Sequence, residues 1–317
     1  MKTRLLALFC VVSATLLLQT TAPAMAATQA DSQATAQATD RSYVGAETCI
    51  ECHEDYYDSY MKNRHGIAAD PRTPEAQMGC ESCHGPGSEH VDADGEGGIR
   101  SLRADSADGA AVNNAACLQC HSKGGQALWH GSEHDGRNLS CTSCHSTHNN
   151  YANNLAYESQ EETCRQCHKG IRAELLRQSH HPIREGKMTC SDCHNAHGTL
   201  ADKLVDAQSA NTKCFECHAD LRGPYLWEHP PVVEDCLSCH VPHGSSRNAL
   251  LNAKTPYLCQ RCHSNAAHPS QLGARSNAEA GQSVYRVLNN RTFYRACLNC
   301  HVAIHGSNHP SGKSLAR

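Results

Sequence analysis

Twenty of the 21 cysteines in this 317-residue chain fall into ten Cys-x-x-Cys pairs, and a histidine follows every pair at once. Numbered 1 to 10 in chain order, the motifs are Cys49, Cys52, His53; Cys80, Cys83, His84; Cys117, Cys120, His121; Cys141, Cys144, His145; and Cys164, Cys167, His168. The second five are Cys190, Cys193, His194; Cys214, Cys217, His218; Cys236, Cys239, His240; Cys259, Cys262, His263; and Cys297, Cys300, His301. Disulfides would pair cysteines at varied separations and need no histidine beside each. Zinc ribbons use Cys-x-x-Cys pairs but ignore the residue that follows. The constant histidine fits a c-type haem attachment site. Two thiols add across the two vinyl groups, and the adjacent imidazole reaches the iron from the same face.

Composition points the same way. The chain has 23 histidines but only 3 Phe and 2 Trp, so side chains alone do not build a large core. Ordering a chain costs about 1–2 kcal/mol of backbone entropy per residue, and apolar surface must come from somewhere to offset it. From Cys49 to Cys297 the motifs begin on average fewer than 30 residues apart. The predicted fold is therefore a multihaem cytochrome c, with short α-helices and loops around an elongated array of ten covalently bound haems c. The porphyrins themselves form the core, close enough together to conduct.

Thirteen histidines lie outside the motifs, and at least one follows each motif before the next begins. One spare histidine per haem is what a second axial ligand requires. Methionine is the other common choice, yet only Met61, Met78 and Met188 remain once the N-terminal leader is removed. Ten bis-histidine irons is the economical reading. The distal candidates are His65, His90, His134, His148, His181, His197, His229, His243, His268 and His305. Spacing after the preceding motif favours His134 over His130. His181 is favoured over His180 because His-Pro recurs at His229 and His268, and the "HG" ending shared with His197 and His243 favours His305 over His309.

The spare histidines alternate, early after even motifs and mostly late after odd ones, which divides the chain into five two-haem modules starting near residues 49, 117, 164, 214 and 259. An extended chain covers at most ~3.3–3.6 Å per residue, so His197 reaches only about 11 Å from His194. That leaves almost no slack to bind both faces of one iron. His148, His197 and His243 are expected to serve a neighbouring haem and stitch the array together.

Lys2 and Arg4, the apolar run Leu5–Leu18 and Ala24-Met25-Ala26 make a signal peptide over residues 1–26, cleaved after Ala26. The apolar run is shorter than the roughly 20 residues of a membrane span. Residues 27–46 read as a disordered leader and 47–317 as the cytochrome domain. Helices are predicted in "CHEDYYDSYMKNRH" and "CHKGIRAELLRQSHH", a surface loop over 91–116, and a partner-facing excursion over 269–296. No alternating run is long enough for a sheet. The net charge of −4 gives no electrostatic case for nucleic acid.

"MTCSDCHNAHG", "LWEHPPV", "CHVPHG" and "CHVAIHGSNHPSGK" resemble the periplasmic decahaem cytochromes of the MtrA and DmsE family, over essentially all of the exported chain. The resemblance implies an electron carrier, not an enzyme, that lies inside an outer-membrane β-barrel of the MtrB type. Its donor would be an inner-membrane or periplasmic cytochrome. Its outer-surface partner would be a multihaem cytochrome or a molybdopterin reductase, in metal or dimethyl sulfoxide respiration. A free periplasmic shuttle is the alternative. A multihaem reductase is disfavoured, because nitrite reductases of that kind replace one motif histidine with lysine and leave that iron open, and no CxxCK occurs here.

Overall fold

The computed structural model describes residues 41–263 and 297–316. Each motif is a single helical turn. In nine of the ten, the histidine N–H donates to the carbonyl of the first cysteine at 2.8–3.1 Å. Residues three and four apart in such a turn share a face, so the two thiols and the imidazole emerge together.

The turns sit within or beside short helices: α1 (Ala46–Met61), α2 (Glu81–His84), α3 (Ser88–Asp92), α4 (Gly109–Leu118) and α5 (Gln160–Arg165), then α6 (Lys169–Leu175), α7 (Ala210–Phe215), α8 (Pro230–Glu234) and α9 (Tyr257–Gln260). His53 breaks α1 with φ −121° and ψ 38°, so motif 1 keeps its own turn even inside the longest helix. Ser159 and Ser209 cap α5 and α7, each accepting from a backbone N–H three residues on. Among the described residues, strand pairing is confined to isolated bridges such as His145–Leu155, His194–Val205 and His240–Leu251.

Two sequence expectations change. The loop read over 91–116 holds most of α4, where the run "AAVNNAA" favours helix and Asn113 and Asn114 are buried against the next turns. The leader is shorter than 27–46. Ser42 and Ser88 exchange hydrogen bonds, Arg41 pairs with Glu89, and Val44 and Gly45 donate to the buried carboxylate of Glu81. The 269–296 excursion lies outside the described residues.

Amide side chains one turn before three odd motifs clamp the even motif that follows. Asn114 accepts from Cys141 N at 2.7 Å and donates to Leu139 O at 3.1 Å. Asn211 does the same with Cys236 N at 2.7 Å and Val233 O at 3.0 Å. Gln160 accepts from Ser191 N at 2.8 Å. These clamps hold paired motifs together, and the first cysteines of each pair lie near enough for their thiols to interact: Cys49 with Cys80, Cys117 with Cys141, Cys164 with Cys190, Cys214 with Cys236 and Cys259 with Cys297.

A second, longer-range contact repeats as well. The loop after each of motifs 4, 6, 8 and 10 crosses the segment after motifs 1, 3, 5 and 7 respectively. Asn63 bonds Thr147, Asn195 bonds Gly125, Ser179 bonds Ser245, and Trp227 bonds Ser307. Glycine permits the close approach. A Cβ on Gly198 would overlap the Leu128 carbonyl, one on Gly244 the Glu174 carbonyl, and one on Gly306 the Tyr225 ring.

Candidate functional site

The fold sets imidazoles opposite one another, with ring planes from near parallel to near perpendicular. Nine of the ten motif histidines have a spare histidine ring opposite, with centroids 6.0–6.4 Å apart: His53 and His90, His84 and His148, His121 and His65, His145 and His197, His168 and His134, His194 and His243, His218 and His181, His240 and His305, His263 and His229. His301 is described, whereas His268 lies outside the described residues.

The spacing fits an iron between the rings. Two metal–nitrogen bonds of about 2 Å take up roughly 4 Å, and the remainder is the distance from each ring centre to its nitrogen. The burial pattern fits a porphyrin too. Among the described residues the buried apolar side chains are only Ala110, Ala116, Trp129, Leu155, Leu175 and Ala253. Trp129 Nε1 and Glu75 Oε2 are buried without a hydrogen-bond partner among the described residues. None of the twenty motif cysteines is paired in a disulfide, and among the described residues no three or more His, Cys, Asp or Glu side chains converge as a metal cluster.

Hydrogen bonds to Nδ1 orient the rings. On the motif side, His84, His145, His194, His240 and His301 bond the carbonyls of Arg100, Asn153, Lys203, Ala249 and Ser314 at 2.7–3.1 Å. On the other side, His134, His181 and His229 bond the carbonyls of Ala196, Pro242 and Ile304 at 2.7–3.0 Å. Those carbonyls belong to the residues just before His197, His243 and His305, so each crossing orients two spare histidines at once. A proton on Nδ1 leaves the Nε2 lone pair for a metal. Burial holds His65, His148, His197, His243 and His305 below the ordinary imidazole pKa, and the imidazole opposite each lowers it further.

The remaining spare histidines point elsewhere. His130 is solvent-exposed, 4.0 Å from Asp135. His180 bonds Glu185 at 3.1 Å, and that bond raises its pKa. His309 accepts from the Ser311 hydroxyl. Of the early histidines, His90 faces the adjacent motif 1, whereas His148, His197, His243 and His305 each face the motif two before their own. The crossing segment carries each of these four past the adjacent motif. The clamping amides and the crossing glycines escaped the sequence reading, although Asn at Cys−3 and glycine after the early histidine are both visible in hindsight.

The comparisons agree with this geometry. The family described as "doubled CXXCH motif" matches residues 130–173, 180–223 and 229–268, and "cytochrome c554 and c-prime" matches 18–85. The chain is 38% identical over 277 residues to multiheme cytochrome MtrA of Shewanella baltica (strain OS185), covering 86% of this chain and 81% of that one. The chain therefore belongs to the MtrA family of multihaem c-type cytochromes, binds haem c covalently, and carries electrons rather than transforming a substrate.

Proposed function

We propose that all ten motifs carry haem and that every iron is held between two imidazoles, with the nine opposed pairs above as ligands. For the tenth iron the sequence candidate is His268, which lies outside the described residues. The observation that carries this reading is the repeated 6.0–6.4 Å separation of histidines far apart in sequence. Bound haem supplies an iron that takes up and releases one electron. The protein's own work is to anchor, orient and close. Paired thiols fix each porphyrin, Nδ1–H bonds hold the imidazoles in register, and a second imidazole denies the iron to other ligands.

Within that reading the five modules interlock by exchange. The module starting near 49 gives His65 to motif 3, and the next module returns His148 to motif 2. The same trade recurs with His134 and His197, His181 and His243, and His229 and His305. Only His90 closes within its own module among the described pairs.

The relative named MtrA, the signal-peptide pattern and the resemblance support an exported protein in the periplasm that conducts through an outer-membrane β-barrel partner, between a periplasmic or inner-membrane donor and an outer-surface oxidoreductase. Among the described residues no helix is long and apolar enough to cross a membrane. The irregular backbone would leave polar groups unsatisfied in lipid, which a closed barrel avoids. The test is reconstitution. With the barrel, an external reductant should reduce an acceptor enclosed in liposomes; if the cytochrome alone does so, or the barrel adds nothing, the conduit reading falls.

A further inference from the structure

The repeated crossings act as internal controls for one another, and they differ at a single telling position. At two of them a glycine packs on the same backbone feature: Gly198 on the carbonyl of Leu128, Gly244 on the carbonyl of Glu174. Leu128 and Glu174 are therefore structurally equivalent. Their side chains are not. Glu174, at the penultimate residue of α6, brings Oε2 to 3.5 Å from Nδ1 of His243. Its other oxygen lies 3.6 Å from Arg177, whose guanidinium also donates to the Gly244 carbonyl at 3.0 Å. Arg177 thus steadies the carboxylate while leaving Oε2 to the imidazole. At the matching crossing, His197 has the Trp129 ring beside it at 6.4 Å, and Leu128 supplies no charge.

We propose that Glu174 is a positioning residue that sets the reduction potential of the haem held by His194 and His243 below that of the haem held by His145 and His197. A carboxylate on the outer nitrogen of a metal-bound imidazole increases its electron donation, and its negative charge favours the ferric over the ferrous iron. Reduction at this site adds one electron and makes or breaks no bond. Both imidazoles stay bound, and the Nδ1 proton of His243 remains between the ring and the carboxylate. The chain thus has a built-in step near its middle, between two stations whose crossings share their backbone packing and differ in whether a carboxylate faces the imidazole. This inference rests on the bis-histidine reading above.

Outer-shell partners of metal-bound histidines typically matter by 10–100-fold. Because Glu174 is part-exposed, with a side-chain accessibility of 27%, screening favours the lower end. The expected change is about tenfold in the ferric-to-ferrous ratio at fixed potential, or ~59 mV for a one-electron couple. The experiment is a spectroelectrochemical titration of the full ten-haem protein and three variants. Glu174→Gln should move one haem's share of the absorbance change to higher potential. Leu128→Glu, which places a carboxylate at the matching crossing, should move one haem's share lower. Glu174→Asp should restore part of the native curve.

A Glu174→Gln protein that keeps ten low-spin haems but titrates like the native chain overturns the proposal, as does a shift spread over many haems. If Glu174→Gln does not accumulate, Leu128→Glu decides alone, and an unchanged or upward titration refutes it. The native protein separates this outcome from the reading beneath it. Fewer than ten haems or high-spin irons there would defeat the bis-histidine assignment, whereas intact ligation with flat titrations defeats only the tuning by Glu174.

Discussion

Replacing Gly244 by alanine tests the crossing directly, because the new methyl would occupy the Glu174 carbonyl. The methyl would sit 2.0 Å from the Glu174 oxygen, whereas non-bonded heavy atoms settle near 3.5–4.0 Å, so the loop must retreat by about 1.5–2 Å. Metal–ligand bonds tolerate only about ±0.2 Å. His243 lies next to the substituted residue, and His181 is tied to the same loop through the Pro242 carbonyl at 2.7 Å. One methyl should therefore weaken two irons in two different modules, those of motifs 6 and 7. Overpacking of this kind costs about 1–3 kcal/mol. The assay is low-temperature EPR with near-infrared spectra on protein whose mass confirms ten haems. We expect up to two irons of the ten to become high-spin. Gly170→Ala, in α6 where an added Cβ meets nothing within 4 Å, should stay entirely low-spin and gain about 0.5–1 kcal/mol of helix stability. A Gly244→Ala protein with ten low-spin haems would refute the reasoning.

Intact-mass spectrometry of the exported protein should give residues 27–317 plus ten haems; a smaller number from a host with competent cytochrome maturation breaks the repeat argument. Native reduced protein should bind no carbon monoxide, since a bound molecule would reveal an open iron. His134→Ala, His181→Ala and His305→Ala should each perturb one iron, while His130→Ala, His180→Ala and His309→Ala leave the spectra unchanged, and a reversed pattern in any pair reassigns that ligand. His181→Ala should also slow electron flow through the barrel-reconstituted conduit without releasing haem; unchanged flow would mean that its partner haem lies off the conducting path.

Much of the site could be read from the chain because attachment chemistry is local. Two thiols and an imidazole must leave one helical turn together, and that requirement is written out within five residues. The short spacing from His194 to His197 argues against closure on a single iron, and the fold sets His197 opposite His145 and His194 opposite His243. Which motif each histidine faces could not be read, because it depends on contacts between segments 61 to 89 residues apart in sequence, as at His181–Pro242 and His65–Asn154. The helix α4 was missed because its buried face carries Asn113 and Asn114 instead of aliphatic residues, so composition resembled a loop. Residues 41–45 look like an unstructured leader until Glu81, two motifs along the chain, supplies the acceptor that holds them.

Under the proposed exchange, the reciprocal trade of histidines also dictates how such a chain can grow. Inserting a lone CxxCH would shift every later odd motif into an even place, and each donated imidazole would arrive beside the wrong iron. Inserting a whole pair preserves the exchange on both sides, because the newcomer gives one histidine forward and one back as its neighbours already do. Length is thus quantised in steps of two haems. His90, which turns back onto His53 at 6.3 Å, acts as a terminator from which any number of pairs can be laid down.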